Sequence, residues 1–260
     1  MRITVLGSGT STGVPTIGCR CEVCRSGKPE NRRSRSGIYV ETREGCFLVD
    51  CSTDFREQAL RHRLERVDAV LMTHDHADHL NGIDDLRIFN FIQKTPIDLF
   101  GEGEVLETIR RRFAYCFTPK QIGGGVPNLR LLPIEPYLGF TLCGVEILPL
   151  RIKHGILDIL GFRIGSRLAY LTDCSDAPDR TIDAIREIEV LVVGALRHSP
   201  RHPTHYCLDQ ALELRSKVQA QQTWITHIGC KMGDHFETNA SLPRDAQLLY
   251  DGQIIEIRED

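Results

Sequence analysis

The heptapeptide Thr73-His74-Asp75-His76-Ala77-Asp78-His79, placed directly behind the apolar run 69–72, constrains the fold more than any other feature of the sequence. Its pattern is H-x-H-x-D-H. With ten histidines in 260 residues, three His and one Asp at these offsets arise by chance in about one chain in a thousand, so a histidine-rich surface loop is a poor account of it. Alternation at a strand end puts His74 and His76 on one side, while Asp78 and His79 enter the first turn of a following helix from the other. Four convergent donors of hard or borderline character suit two adjacent divalent ions better than one.

Short β-branched or aliphatic runs at 3–6, 38–41, 46–49, 69–72, 97–100, 129–132, 145–150, 168–171, 190–193, 223–225 and 254–257 predict eleven strands. Helical patterns occupy 54–62, 104–113 (Val105, Ile109 and Phe113 on one stripe), 179–188 and 208–218 (Leu208, Leu212 and Val218 facing the core). So many strands exceed one flat open sheet, and two sheets packed face to face with helices outside is the economical α/β arrangement. Without a fixed-period repeat or low-complexity linker, 1–260 reads as a single domain with a metal-binding loop at 18–25. The stretch 117–128, with Gly123-Gly124-Gly125 and two prolines, is the candidate flap.

Further ligands belong at other strand ends, because sites gather where loops leave a rigid scaffold. His154 comes after the run 145–150, Asp173 closes Leu171-Thr172-Asp173, and His227 closes Trp224-Ile225-Thr226-His227. A second cluster, Gly18-Cys19-Arg20-Cys21-Glu22-Val23-Cys24, offers three thiols within six residues. Three thiolates need a fourth donor to close a tetrahedral zinc site. Cys230, three residues past His227, is the expected one. Ten cysteines, in a chain whose first residues lead straight into a strand-like segment, point to metal binding or free thiols and to a cytoplasmic compartment. No run approaches the ~18 apolar residues of a membrane span. A formal charge of −3 excludes a generic basic nucleic-acid binder.

These residues resemble the metallo-β-lactamase superfamily, whose members carry H-x-H-x-D-H and then single His, Asp and His ligands in that order. The resemblance covers nearly the whole chain. It implies a four-layer α/β/β/α sandwich holding two divalent metals, zinc or manganese. One would sit on His74, His76 and His154, the other on Asp78, His79 and His227, with Asp173 bridging and Asp50 supporting the ligands from behind. The opening strand and Gly7-Ser8-Gly9-Thr10-Ser11-Thr12-Gly13-Val14-Pro15, followed by Gly-Cys-x-Cys-x-x-Cys, narrow the resemblance to the phosphoribosyl cyclic phosphodiesterase branch. That branch carries a structural zinc. It has His where this chain has Cys230, and a thiolate serves zinc equally well.

Two divalent ions together with Asp78, Asp173 and a bridging hydroxide would leave a single positive charge, matched to a phosphodiester monoanion. The implied reaction is hydrolysis of a small cyclic phosphodiester by a two-metal-bridged hydroxide. Asp78 and Asp173 would take part, with a general acid drawn from His198, His202 and His205. His205 is favoured because it leads into the helix at 208 and matches the branch's histidine before Cys207-Leu208-Asp209. Arg197 and Arg201 stand nearby for a substrate phosphate. Alternatives are a tRNA 3′-end endonuclease, a thioester or lactone hydrolase of the same fold, and a non-catalytic zinc module. The expected partner is a small anionic phosphodiester, without nucleic acid or membrane, and a homodimer is allowed.

Overall fold

A computed structural model of the chain describes residues 1–118 and 125–259. The strands are β1 (Arg2–Gly7), β2 (Gly37–Glu41), β3 (Cys46–Val49), β4 (Ala69–Leu71), β5 (Ile97–Gly101), β6 (Leu129–Pro133), β7 (Phe140–Leu142), β8 (Val145–His154), β9 (Leu157–Ile164), β10 (Leu168–Leu171), β11 (Val190–Gly194), β12 (Gln222–Thr226), β13 (Ala246–Leu248) and β14 (Ile254–Glu256). They form two seven-stranded sheets, ordered β14-β1-β2-β3-β4-β5-β6 and β13-β12-β11-β10-β9-β8-β7. In the first, β3 to β6 run parallel. In the second, β10 to β13 run parallel, and β9 and β8 return antiparallel.

Period-two alternation explains the layers. Ile3, Val5, Phe47, Val49 and Leu71 meet Phe162, Leu168, Tyr170, Val190 and Val192 between the sheets. The alternate residues Leu6, Leu48 and Val70 pack under helices Phe55–His62, Arg87–Gln93 and Gly103–Arg112. On the opposite face, Leu171, Leu191, Val193 and Ile225 pack under Leu208–Val218. Both faces of these strands are covered, so they read as continuous apolar runs, and the result is the α/β/β/α sandwich. No helix among the described residues is long and apolar enough to cross a membrane.

Three strands escape the sequence pattern. β7 is only three half-exposed residues, β13 is three residues with an exposed centre, and β9 carries a glycine at its middle. That glycine is required, since a Cβ on Gly161 would lie 2.5 Å from Leu171 Cδ2 and 2.9 Å from the Tyr170 carbonyl oxygen. β8 and β9 also pair through a tight hairpin from His154 to Leu157, so the strand expected to stop at 150 continues to His154. The helix expected at 179–188 ends at Ala184, with Ile185 and Ile188 buried beyond it. Leu208–Val218 appears as expected, but its stripe runs through Ala211 and Leu214, leaving Leu212 partly buried. Likewise, Leu106 takes the buried place expected of Val105. Half of the expected flap at 117–128, residues 119–124, lies outside the described residues.

Candidate metal centre

Donors gather at the carboxyl ends of strands from both sheets. The 74–79 motif follows β4, with Asp78 and His79 in the turn of helix Ala77–Leu80. Asp50, Asp173 and His227 follow β3, β10 and β12, all with left-handed backbone (φ 63°, 54° and 56°). A non-glycine residue pays roughly 1–2 kcal/mol for that conformation. Here it turns each chain sharply off its sheet, and such strain concentrates at functional sites. His154 arrives as the last residue of β8 rather than in a loop past it.

The structure brings all seven expected ligands together. Ligand-type atoms lie within 4.8 Å of one another in the sets His74, His76, His154; His74, His79, Asp173; and Asp78, His79, His227. His79 Nε2 is 3.2 Å from Asp78 Oδ2 and 3.2 Å from Asp173 Oδ2, and His227 Nε2 is 3.2 Å from Asp173 Oδ1. Donors ~2.1 Å from a shared cation, at tetrahedral to octahedral angles, stand about 3.0–3.4 Å apart.

Hydrogen bonding behind the ring sets the tautomers. His79 Nδ1–H donates to Asp50 Oδ2 at 2.6 Å. Asp50 also accepts the backbone N–H of Thr73 at 2.9 Å and its hydroxyl at 2.8 Å. The Thr73 oxygen in turn accepts His74 Nδ1–H at 2.9 Å. His154 Nδ1–H donates to the carbonyls of Asp173 (2.9 Å) and Thr204 (2.7 Å). Each proton is thereby fixed on Nδ1, leaving Nε2 as a lone-pair donor, the arrangement metal-binding histidines use. Nε2 of His74, His79 and His227 is buried without a hydrogen-bond partner. Orphaned buried nitrogens facing two carboxylates fit divalent cations.

Electrostatics agree. Burial opposes charge on Asp78 and Asp173, yet His79 and His227 hold Asp78 at about 2 and Asp173 well below the carboxylate range. Burial, reinforced by His79, holds His74 well below its ordinary value, and burial also lowers His227. His79 goes the other way: burial resists its charge, but Asp173 and Asp50 raise it strongly. The carboxylates thus demand a positive charge, which a cation at His79 Nε2 supplies with release of the proton.

His205 packs against the cluster, its ring 4.7 Å from His154 and 4.8 Å from His227, with Nδ1 3.7 Å from Asp173 Oδ1. Burial and His227 lower its pKa to about 3, so it is a neutral imidazole at pH 7. His202 lies one ring further out, 5.2 Å from His205, and His198 is exposed. Arg201, expected beside a substrate phosphate, is exposed and faces Asp209 at 3.9 Å. Sequence reasoning missed Thr73 and also Thr172, whose hydroxyl donates to Asp173 Oδ2 at 2.7 Å. The available signal was a threonine immediately before the ligand in Thr73-His74, Thr172-Asp173 and Thr226-His227.

The sulfur atoms of Cys19, Cys21, Cys24 and Cys230 form a second group, within 4.8 Å of one another. Backbone N–H groups of Thr16 and Cys24 donate to Cys24 Sγ and Cys21 Sγ, both at 3.4 Å. The backbone N–H of Cys21, with the neighbouring thiols, pulls Cys19 down to about 7. Four converging sulfurs with N–H donors behind two of them fit a tetrahedral thiolate-bound ion. The other six cysteines are free thiols.

Residues 46–228 match the family model described as Beta-lactamase superfamily domain. A crystal structure of a diphosphatase from the PhnP family superposes with a TM-score of 0.91 at 38% identity, over 99% of this chain and 98% of that one. Zinc-bound PqqB from Methylobacterium extorquens superposes with a TM-score of 0.82 at 18% identity, over 99% and 100% of the two chains, a likeness of fold alone. A curated octanoyltransferase of Porphyromonas gingivalis is 38% identical over 97% of this chain, which spans only 51% of that protein's length. On the donor geometry and these matches, the chain has the metallo-β-lactamase fold and belongs to the beta-lactamase superfamily, in its PhnP-like branch.

Proposed function

We propose that this protein is a binuclear metal-dependent phosphodiesterase acting on a small cyclic phosphodiester. The observation that carries this reading is the pair of donor sets, His74-His76-His154 and Asp78-His79-His227, with Asp173 beside both His79 and His227. His74, His76 and His154 would hold one cation, Asp78, His79 and His227 the other, and Asp173 would bridge. Such a pair supplies Lewis acidity toward phosphoryl oxygens and lowers the pKa of water from 15.7 toward ~7. Asp50 keeps His79, and through Thr73 His74, in the ligating tautomer. His205 is neutral at pH 7, so its role is to offer an N–H to the leaving oxygen rather than to arrive as an imidazolium. The four cysteines would hold a structural zinc that ties the N-terminal loop to the turn after His227.

A second reading is favoured by the PhnP-family diphosphatase: phosphoanhydride hydrolysis at the same centre. The octanoyltransferase relative is about twice as long, and the imidazole and carboxylate cluster offers hydrolytic chemistry rather than an acyl-carrying nucleophile. The test is a turnover panel with metal-replete protein, Mn²⁺ or Zn²⁺, on 2′,3′-cyclic AMP, bis(p-nitrophenyl) phosphate, a nucleoside diphosphate, precursor tRNA and a thioester. Cyclic-ester opening supports the proposal. Exclusive turnover of the diphosphate replaces it with the second reading, and no turnover of any phosphate compound refutes both.

A further inference from the structure

Arg33 is a buried cation that the metal centre does not use. It is 4% exposed, and its partners are all neutral. Nη1 donates to Ser8 Oγ at 2.8 Å and to the Leu249 carbonyl, and Nη2 donates to His235 Nδ1 at 3.1 Å. These contacts place three of the five N–H bonds of a guanidinium, leaving Nε–H and the second Nη2–H without a partner among the described residues. Burial pulls the Arg33 pKa down to about 10, so the side chain still carries its charge at pH 7. His235, lowered by burial to about 4, adds none. Compensation is indirect, since Ser8 Oγ donates onward to Asp251 Oδ1 at 2.9 Å. A buried charge without a contacting counter-charge is unusual, because neutral hydrogen bonds do not replace its hydration.

Arg33 borders a cavity of about 380 Å³ together with Arg32, Arg61, Ser34 and Asp251. That exceeds the ~300 Å³ lower end of small-molecule sites. Three cations therefore face one acid, and the acid is already engaged. Asp251 accepts the backbone N–H and hydroxyl of Ser8, both at 2.9 Å, and those of Ser34, both at 2.7 Å, with Arg61 Nη1 a further 3.3 Å away. Arg32 is exposed and forms no ion pair among the described residues. The wall itself is pinned: Val14 and Arg33 exchange backbone hydrogen bonds of 2.9 and 2.7 Å. Ser8 links this wall to the candidate centre, because its carbonyl accepts the N–H of Ile228 at 2.9 Å, the residue directly after His227.

We propose that this cavity is a second anion site, separate from the metal centre, which takes a phosphate group on Arg33, Arg32 and Arg61. The excess of two positive charges on its lining matches the near-dianionic charge of inorganic phosphate or of a phosphate monoester. Arginine suits the task, since its planar N–H groups meet phosphate oxygens with charge-assisted bonds. Arg33 is held in place by Ser8, Leu249 and His235, so its unfilled donors are pre-organised, while Arg32 and Arg61 reach the anion from the solvent side. The inference goes beyond the phosphodiesterase reading and does not depend on it.

Equilibrium dialysis of the as-purified protein against radiolabelled inorganic phosphate, and separately against AMP, tests the site. Wild-type protein shows a class of phosphate binding that weakens at least tenfold in the double variant Arg32→Ala/Arg61→Ala and in Arg33→Lys. Because Arg33 is buried and its variant can misfold, the exposed pair carries the decision. Asp173→Ala, which disrupts the metal centre, leaves that class intact, and so does Arg56→Ala, on the same helix as Arg61 but outside the cavity. Inorganic phosphate binding as tightly as AMP upholds the site with free phosphate as the occupant. AMP binding at least tenfold tighter upholds it with a phosphorylated small molecule instead. Phosphate binding that the double variant leaves unchanged, that disappears only in Asp173→Ala, or that Arg56→Ala weakens equally overturns the proposal.

Discussion

Replacing Asp50 with asparagine isolates the control of histidine tautomers, because asparagine keeps the volume and tolerates the left-handed backbone at position 50 (φ 63°). Asp50 is buried and accepts from three donors: His79 Nδ1–H, the Thr73 N–H and the Thr73 hydroxyl. Asparagine can still accept from Thr73 through its single oxygen, but its amide then opposes His79 Nδ1–H donor to donor. Relief comes by moving the His79 proton to Nε2, the atom 3.2 Å from Asp78 and Asp173. The ring then has no lone pair for a cation. Loss of such an outer partner costs about 10–100-fold in metal affinity, or about 1.4–2.7 kcal/mol. The charge-assisted bond itself contributes roughly 1.5–3 kcal/mol to folding. The assay is metal content after dialysis against a chelator of known affinity, alongside Tm of the metal-free protein. If Asp50→Asn binds metal within threefold of wild type and melts at the same temperature, the tautomer argument is wrong.

Asp173→Ala removes the carboxylate between His79 and His227 and should abolish turnover with an unchanged far-UV circular dichroism spectrum; retained activity would exclude a bridging role. Cys21→Ser should lose one ion per chain and lower Tm before it affects the rate, because structural metal binding is folding free energy; equal Tm and metal content would show that the cysteines hold nothing. Acidification should destabilise the protein through His235, whose pKa burial and the neighbouring Arg33 lower to about 4. Between that value and the unfolded ~6.5 the unfolded chain binds the extra proton, so stability rises with pH across this window and is lost as pH falls. His235→Gln should flatten the slope of denaturant-derived stability between pH 4 and 6.5, and an unchanged slope would place the acid sensitivity elsewhere.

The difference between what pattern and what packing reveal is visible in particular residues. His74, His76, Asp78 and His79 announce themselves because four donors fall within six positions behind an apolar strand, and helix Leu208–Val218 does so because its periodicity is local. His154, Asp173 and His227 were legible only as a shared habit of following strands. The role of Thr73 was not legible: a threonine is unremarkable until a carboxylate from another strand meets it. Among His198, His202 and His205, the sequence favours His205 for its place before the helix at 208, and the structure adds its packing against His154 and His227.

The sequence by itself determined the layers and the donor chemistry, since doubly buried strands must read as apolar runs and metal donors come from few residue types. It also marked Cys19, Cys21 and Cys24 as a unit, since the three fall within six residues. Only the tertiary structure decided which tautomers the imidazoles hold, that Arg197 and not Arg201 lines the cavity beside His205, and that Lys231 faces the same chamber. Those facts depend on pairing between strands remote in the chain and on turns with left-handed backbone, and neither leaves a periodic trace in the order of residues.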